Sequence, residues 1–364
     1  MNDPYDERAH SNSPAGRLDP ANFDIQYPDP MESDTFDELD RQLVHALQLN
    51  ARAPFSRIAA VLGVSDQTVA RRYTRLRGAN WIRVLGLTAP EALGEVRWHV
   101  RVQCTPDAAG TVAEALARRE DTAWVTLNSG GTEINCSTRA HPTQADHSLL
   151  LERLPRTPSV VGVTAHCVMH TFFGGAQSMV VKSGTLTGGQ VAALTVDAPA
   201  DAPTERPPGP PPTLDEADRR LLDALAVDGR APLAELAAAT GWSASTVRRR
   251  LDELTGCGVL YFDLDVDWRI FQVRTHTTLW LSVAPAELAA TGAALAAHPE
   301  VAYACATTGP TNLHAVVLTR DVQELYGYLT TRIASLPAVR HLETAPTMRI
   351  VKGPGPLPLP PRRR

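Results

Sequence analysis

Residues 65–76 have the sequence SDQTVARRYTRL, and residues 243–254 have the sequence SASTVRRRLDEL. Each stretch begins with a serine, has a valine four residues later, and continues with adjacent arginines. Serine is a preferred N-cap residue, and apolar residues spaced at i, i+4 and i+7 lie on one face of a helix. The sequence therefore predicts nearly the same basic helix twice, 178 residues apart.

The similarity extends well beyond these two helices. At an offset of 178 residues, about twenty of 47 aligned positions are identical, including Arg-Ala-Pro at 52–54 and 230–232. A fainter similarity continues at an offset of 179, where Gly130 aligns with Gly309. The chain of 364 residues is therefore predicted to be a tandem duplication of a unit of about 140 residues.

Composition separates the two copies from the segments around them. Residues 1–35 contain eight acidic residues and two arginines, so the net charge of −5 leaves about +1 for the remainder. This acidic arm is predicted to be disordered. Residues 174–212 are predicted to be a semi-rigid linker with a short helix at 186–194. Residues 353–364 form a Pro-rich tail with three final arginines, which suits either a solvated tail or a weak phosphate contact.

The bulk properties favour a cytoplasmic protein. No apolar run approaches the roughly 18–20 residues that a membrane-spanning helix needs. The N-terminus lacks the basic-then-apolar pattern of a signal peptide. The five cysteines show no C-x-x-C spacing, which suits a reducing compartment better than a disulfide framework.

Each copy opens with three short predicted helices. The first has an acidic N-cap, the second has a proline in its first turn and a glycine at its end, and the third has a serine N-cap. In the two copies these residues are Asp37 and Asp215, Pro54 and Pro232, Gly63 and Gly241, and Ser65 and Ser243. Two helices joined by a short turn predict helix-turn-helix DNA-binding domains at 36–90 and 213–265.

The outward face of each third helix carries short polar side chains near its start and arginines further along. The short side chains suit base edges in the major groove, and arginines suit phosphates or guanine. A solvated basic surface is the alternative for one such helix, but two copies favour DNA binding. The predicted DNA-binding residues are Ser65, Gln67, Thr68, Arg71, Arg72 and Arg75, with Ser243, Ser245, Thr246, Arg248, Arg249 and Arg250.

The segments that follow, 95–173 and 273–352, alternate polar and apolar residues as half-buried strands do. In the first copy the predicted order is strand 97–104, helix 107–119, strands 122–128 and 132–138, helix 143–154 and strand 159–172. In the second copy it is strand 276–284, helix 286–297, strands 300–307 and 313–319, helix 321–335 and strand 338–351. The order β-α-β-β-α-β predicts two ferredoxin-like sandwiches and an α+β fold class.

The helical motifs resemble those of the Lrp/AsnC (feast/famine) transcriptional regulators. The resemblance rests on the D-x-x-D opening, the N-x-R or D-G-R turn, and the S-x-x-[TV]-V-x-R-R helix, and it covers roughly 36–173 and 213–352. It implies that each β-α-β-β-α-β unit is an effector-sensing RAM domain. It further implies that the two copies pair within the chain as a pseudo-dimer, which can form further homo-oligomers.

The resemblance also implies a small effector, such as an amino acid, near the turn between the second and third strands, at an interface between the sheets. Backbone N–H groups at a glycine turn can hold a carboxylate, although a plain hairpin turn is the alternative. Glu133 departs from the Asp or Asn that the family often has there. The predicted ligand residues are Gly130, Gly131 and Glu133 in the first copy, and Gly309, Thr311 and Asn312 in the second.

Enzymatic alternatives have weaker support in the sequence. His166 and His170 have a zinc-ligand spacing for a helix, but they lie on a predicted strand. Siroheme decarboxylases resemble these regulators in fold, and such an enzyme would use His99, Arg101, His166 and His170. The outward arginines favour a regulator with double-stranded DNA and a small effector as partners. We expect no catalytic residue, cofactor or metal site, and an architectural DNA-binding protein remains the other alternative.

Overall fold

A computed structural model of the chain describes residues 36–140, 153–175, 177–196 and 212–357. The predicted acidic arm, most of the helix predicted at 143–154, much of the linker and the last seven residues lie outside these ranges. None of the helices within them combines the length and the apolar character that crossing a membrane requires.

Over the described residues, both copies begin with the same order of elements, which is three helices, two strands, a helix and two strands, and each copy ends in a long strand. The first copy contains α1 (Glu38–Leu49), α2 (Phe55–Leu62), α3 (Asp66–Gly78), β1 (Ile82–Thr88), β2 (Val96–Cys104), α4 (Ala109–Ala117), β3 (Thr122–Asn128), β4 (Glu133–Ala140) and β5 (Val160–Phe173). The linker contributes α5 (Gly188–Thr195). The second copy contains α6 (Glu216–Val227), α7 (Leu233–Thr240), α8 (Ala244–Gly256), β6 (Leu260–Val266), β7 (Thr275–Val283), α9 (Leu288–Ala296), β8 (Val301–Thr307), β9 (Leu313–Thr319), α10 (Val322–Tyr328) and β10 (Val339–Lys352).

The predicted helix boundaries follow from their capping residues. Asp37 and Asp215 each form a capping box with the aspartate three residues later. Gly63 and Gly241 end the second helices in the left-handed region, where glycine carries no steric penalty. One detail of the prediction was wrong: Pro54 and Pro232 occupy the N-cap position, so the second helices begin one residue later.

Two strands that the sequence analysis did not predict join the helical units. β1 and β6 pair antiparallel from Ile82 opposite Val266 to Thr88 opposite Leu260. Each strand finds its partner in the other copy, far away in sequence, so no local hairpin signal marks it. The two helix-turn-helix units are thus linked through a shared two-stranded sheet.

The remaining eight strands close into one barrel. Each copy supplies a four-stranded antiparallel sheet, in the order β3-β4-β2-β5 in the first copy and β8-β9-β7-β10 in the second. The long last strand of each copy also pairs with the other sheet, β5 with β8 and β10 with β3. The two copies therefore pair within the chain.

Each sheet buries its apolar face under its own helix and turns its other face towards the other sheet. In the first copy, Val100 and Ile134 pack with Val112 and Leu116 of α4. In the second copy, α9 covers the corresponding apolar side chains of β7, β8 and β9. The inward faces are polar and aromatic, because the strands alternate and their apolar residues point outward.

Candidate functional site

The outward faces of α3 and α8 are the first candidate site. Ser65 and Ser243 cap the two helices through the backbone N–H groups of Thr68 and Thr246. Gln67, Arg71, Ser245, Arg248 and Arg249 are exposed. Within the described residues, Arg71 and Arg248 make no ion pair, and Arg249 lies 3.8 Å from Glu253. This face can therefore offer free guanidinium groups to an anionic partner.

Two arginines predicted to bind DNA are engaged inside the protein. Arg72 donates to Asp40 at 2.8 Å, and Arg250 donates to both oxygens of Asp218 at 2.7 Å. Both aspartates are buried, and they are the same residues that complete the capping boxes of α1 and α6. The Arg250 hydrogen bond holds the pKa of the Asp218 carboxyl below its ordinary value. These pairs tie the first helix to the third in each copy.

Arg75 differs from the position that matches it in the second copy. Its guanidinium also donates to Asp40, so that one buried carboxylate faces two arginines. At the matching position the second copy has Glu253, which pairs with Arg250. The predicted DNA contacts of Arg72, Arg75 and Arg250 remain predictions, and the structure gives all three a role inside the helical unit.

The repeated Arg-Ala-Pro sequence forms a reciprocal clamp between the two helical units. Arg52 donates to the carbonyl oxygens of Gly229 and Ala231, the latter at 3.0 Å. Arg230 donates to the carbonyl oxygens of Ala51 and Ala53, the latter at 2.9 Å. Both turns end a first helix, where carbonyl groups lack helical partners. The clamp and the β1–β6 pair together fix the two units relative to each other.

The second candidate site is a cavity of about 980 Å³ that reaches from beneath the helical units into the barrel. Its barrel walls come from both copies, with His99 and Asn135 from the first and Trp280, Tyr303 and His314 from the second. The imidazole of His99 stacks on that of His314 with ring centres 4.3 Å apart. The His99 Nε2 atom lies 3.2 Å from the Tyr303 hydroxyl oxygen. A polar ligand here would touch both sheets at once.

Several buried polar atoms of the barrel have no hydrogen-bond partner in the part of the chain that the structure describes. They include both side-chain amide atoms of Asn135, Nε2 of His166 and Nε1 of Trp280. Buried polar groups are nearly always satisfied, and each orphan costs roughly 1–3 kcal/mol. Water or a polar ligand that satisfies several of them at once would bind favourably.

Electrostatics inside the barrel favours neutral imidazoles. Burial, with His166 and Arg101 nearby, lowers the pKa of His314 to about 3. Burial, with His314 and Arg97 nearby, holds the pKa of His99 well below its ordinary value. Arg101 keeps its charge against two carboxylates, Glu133 at 3.0 Å and Glu343 at 2.8 Å.

The predicted ligand residues lie at the β3–β4 and β8–β9 turns and do not line this cavity. Gly130 and Gly131 face open space, and Glu133 is bound by Arg101. Asn312 uses its side chain to bind the backbone N–H and carbonyl of Val283. The other two predicted ligand residues, Gly309 and Thr311, belong to the β8–β9 turn. Gly309 packs on the ring of His166, and the carbonyl of Thr311 accepts a hydrogen bond from the hydroxyl of Thr307.

The effector role of these six residues remains a prediction. The inward-facing residues of the cavity were mostly missed by the sequence analysis. The sequence pattern that could have identified these residues is the alternation of side chains along each strand. In RWHVRVQC, residues 97–104, this alternation places His99 and Arg101 on the face opposite Val100 and Val102.

These features define a helix-turn-helix protein in which two DNA-binding units share one barrel of paired α+β domains. A model of the AsnC-type helix-turn-helix domain matches residues 36–77 and 214–255. A model of the Lrp/AsnC ligand binding domain matches residues 277–357. The chain therefore carries the AsnC-type helix-turn-helix domain twice and an Lrp/AsnC ligand binding domain, which are the domains of the Lrp/AsnC transcriptional regulators.

Two relatives each match a length of about one copy. The HTH-type transcriptional regulator FL11 of Pyrococcus horikoshii is 28% identical over 147 residues, which cover 40% of this chain and 97% of that protein. An uncharacterized HTH-type transcriptional regulator of Pyrococcus abyssi is 29% identical over 133 residues, which cover 36% of this chain and 84% of that protein.

A solved structure matches almost the whole chain. The crystal structure of the siroheme decarboxylase NirDL aligns with a TM-score of 0.57 at 15% identity, covering 87% of this chain and 93% of that one. At this identity the likeness concerns the fold alone.

Proposed function

We propose that this chain is a sequence-specific DNA-binding regulator whose occupancy of DNA is set by a small molecule bound in the barrel cavity. The observation that carries the proposal is the pair of capped recognition helices, α3 and α8, held in one arrangement with exposed arginines. The two kinds of matched domain support the same role. Double-stranded DNA and a small effector are therefore the proposed partners.

The exposed arginines and the short polar side chains of α3 and α8 have different roles in the proposed DNA binding. Arg71, Arg248 and Arg249 are exposed and available to phosphates or guanine edges. Gln67, Thr68 and Ser245 near the helix starts contribute to base choice, together with the serine caps. Because these outward residues differ between the copies, we expect the two DNA half-sites to differ in sequence.

The effector is expected to be a small polar molecule such as an amino acid. Its polar groups would satisfy buried atoms of Asn135 and Trp280, which line the cavity and lack partners among the described residues. Such a ligand touches both sheets, and the sheets carry the two helical units. It changes DNA occupancy only by binding more tightly to one arrangement of the helix pair than to another.

Fluorescence anisotropy over a salt series tests the DNA-binding proposal, using DNA from the chain's own upstream region and a scrambled sequence. We expect tighter binding to the native fragment and steep weakening with salt. Arg71→Ala should lower affinity for both sequences and flatten the salt slope by about 1. Arg320→Ala, an exposed arginine paired with Glu324 in a sheet domain, is the matched control.

Two outcomes would overturn this proposal. No binding at low salt would remove the DNA-binding role. Equal binding to both sequences would favour an architectural protein. A wild-type salt slope in Arg71→Ala would show that this side chain does not face phosphate.

A second candidate function has one observation in its favour. The histidine-rich barrel interior belongs to a fold shared with a siroheme decarboxylase, another crystal structure of which contains an iron-uroporphyrin III analogue. His99 and His166 face this interior, but Arg101 is already neutralised by two glutamates and is poorly placed to bind a propionate. Tetrapyrrole absorbance and decarboxylation by the purified chain would establish this enzyme role.

A further inference from the structure

Three potential metal ligands meet inside the barrel. His99 lies on β2 of the first copy, and Cys305 and His314 face each other across β8 and β9 of the second. The Cys305 sulfur lies 3.9 Å from Nδ1 of His314, and one ligand atom from each residue falls within 4.8 Å of the other two. No neighbouring element separates these atoms.

The donor set is that of a borderline-soft metal ion. Two imidazole nitrogens and one thiolate suit Zn²⁺ and its spectroscopic substitute Co²⁺, whereas Mg²⁺ and Ca²⁺ prefer oxygen. Tetrahedral zinc requires roughly 3.4–3.6 Å between ligand atoms, given its usual bond lengths. The Cys305–His314 distance of 3.9 Å is therefore within a small side-chain adjustment of ligation.

The surroundings also suit a metal ion with one open position. Cys305 and His314 are almost fully buried. His99 and His314 line the cavity, so a fourth ligand would come from water or a small molecule in it. Three protein ligands with an open fourth position characterise exchangeable or reactive zinc sites.

Internal symmetry shows that this cluster is specific to one side of the barrel. The first copy places Thr126 opposite Asn135 in the register that Cys305 and His314 occupy in the second. The position matching His99 is Thr278. Among the described residues the chain therefore holds one such cluster, and it combines strands from both copies.

We propose that His99, Cys305 and His314 bind one divalent transition-metal ion of the zinc class, with the fourth coordination position open to the cavity. Binding releases the Cys305 thiol proton to solvent and changes no oxidation state. The proposal does not depend on DNA binding. The bound metal ion would contact residues of both copies. The ion itself, or a small ligand that it holds, could therefore act on both copies.

Metal binding to the full chain tests the proposal directly. After chelator treatment, equilibrium dialysis against Zn²⁺ should give one ion per chain by elemental analysis. Co²⁺ should produce thiolate-to-cobalt charge-transfer absorption. Cys305→Thr and His314→Asn place the first copy's residues at the same register, so both variants should fold. Each should weaken Zn²⁺ binding by at least roughly 100-fold, and Cys305→Thr should abolish the charge-transfer band.

A second buried thiol provides the matched control. Cys104 lies on β2 in the apolar core outside the barrel, so Cys104→Ser should keep both the stoichiometry and the cobalt band. Wild-type chain that binds no Zn²⁺, or binds Co²⁺ without a thiolate band, would overturn the proposal even if the variants failed to fold. Unchanged binding in Cys305→Thr and His314→Asn would also overturn it. Iron-tetrapyrrole absorbance insensitive to Cys305→Thr would favour the second candidate function instead.

Discussion

The two copies of the repeat agree where they hold the fold and differ where they face a ligand. Asp40 with Arg72 and Asp218 with Arg250 make the same buried ion pair, and Arg52 and Arg230 make the same clamp. Inside the barrel, by contrast, Cys305 opposite His314 matches Thr126 opposite Asn135. The contacts that hold the fold are therefore the same in both copies. The residues on the inner surface of the barrel and on the outer surface of the recognition helices differ.

The same contrast appears on the recognition helices. Arg71 and Arg249 occupy matching exposed positions, but Arg75 is matched by Glu253 and Gln67 by Ser245. A symmetric dimer of one-copy chains must present two identical faces to DNA. The tandem chain is free of that restriction, so its helix pair can prefer two different half-sites.

Breaking the shared ion pair should have the largest effect on stability. Asp218→Ala leaves the partly buried guanidinium of Arg250 with only the more exposed Glu253 as a partner and removes the return hydrogen bond of the α6 capping box, so we expect a loss of about 3 kcal/mol in the free energy of unfolding. Asp40→Ala should lose at least as much, because two arginines face that carboxylate. Urea unfolding followed by circular dichroism measures both.

Asp223→Ala provides the control for that pair, because Asp223 is an exposed aspartate on the same helix, α6. It should change the free energy of unfolding by no more than about 0.5 kcal/mol. A similar small change in Asp218→Ala would mean that the ion pair is not what holds the first helix to the third.

The clamp should show a smaller, unequal effect in the two copies. Arg52→Ala removes two hydrogen bonds to backbone carbonyls, and we expect a loss of about 2 kcal/mol. Arg230→Ala should lose more, because its guanidinium also lies 4.6 Å from the ring centre of Phe55 and 5.5 Å from that of Tyr73. The corresponding contact of Arg52, with Phe262, is longer at 5.8 Å.

Urea unfolding of the two single variants and the double variant measures this difference. Hydrogen exchange of the turns at 50–54 and 228–232 shows whether the units separate. Equal losses in Arg52→Ala and Arg230→Ala would mean that the aromatic contacts add nothing measurable.

The third effect depends on pH and concerns the pair of matching residues at which the copies differ in charge. On the β1–β6 sheet, Leu85 lies directly opposite Asp263, the residue that matches it in the other copy. Burial raises the pKa of Asp263 from 3.8 to about 7. Between these values the folded chain binds a proton that the unfolded chain lacks, so stability falls as pH rises through this window.

Asp263→Asn should remove that pH dependence and keep the hydrogen bonds from Gln48 and from the Leu264 backbone. Relative to the wild type, the variant should gain about 2 kcal/mol in stability between about pH 5 and pH 8. Thermal unfolding at the two pH values measures this gain. A constant difference between variant and wild type across the range would show that Asp263 stays ionised in the folded chain.

Local signals were enough to predict most of the fold. Capping residues and the glycine ends placed α1–α3 and α6–α8, and strand alternation placed the eight barrel strands to within a few residues. β1 and β6 were missed because their partners lie in the opposite copy. Pairing that joins residues 172 to 184 positions apart leaves little trace in a local pattern.

The candidate sites were less predictable for the same reason. Outward positions on α3 and α8 followed from helical periodicity, but the engagement of Arg72 and Arg250 depends on where α1 and α6 pack. The cavity residues His99, Tyr303 and His314 meet only because the barrel closes. The family resemblance pointed to an interface between the sheets but assigned the effector to the β3–β4 and β8–β9 turns, so it did not indicate most of the side chains that line the space between the sheets.

The closed barrel also changes how DNA occupancy depends on the amount of protein. A regulator that must dimerise before it binds loses occupancy steeply on dilution, because two chains have to meet first. In this chain the partner copy is always present at the effective concentration set by the linker. Binding by the helix pair should therefore follow the first power of chain concentration, so that a low copy number per cell still fills a single operator.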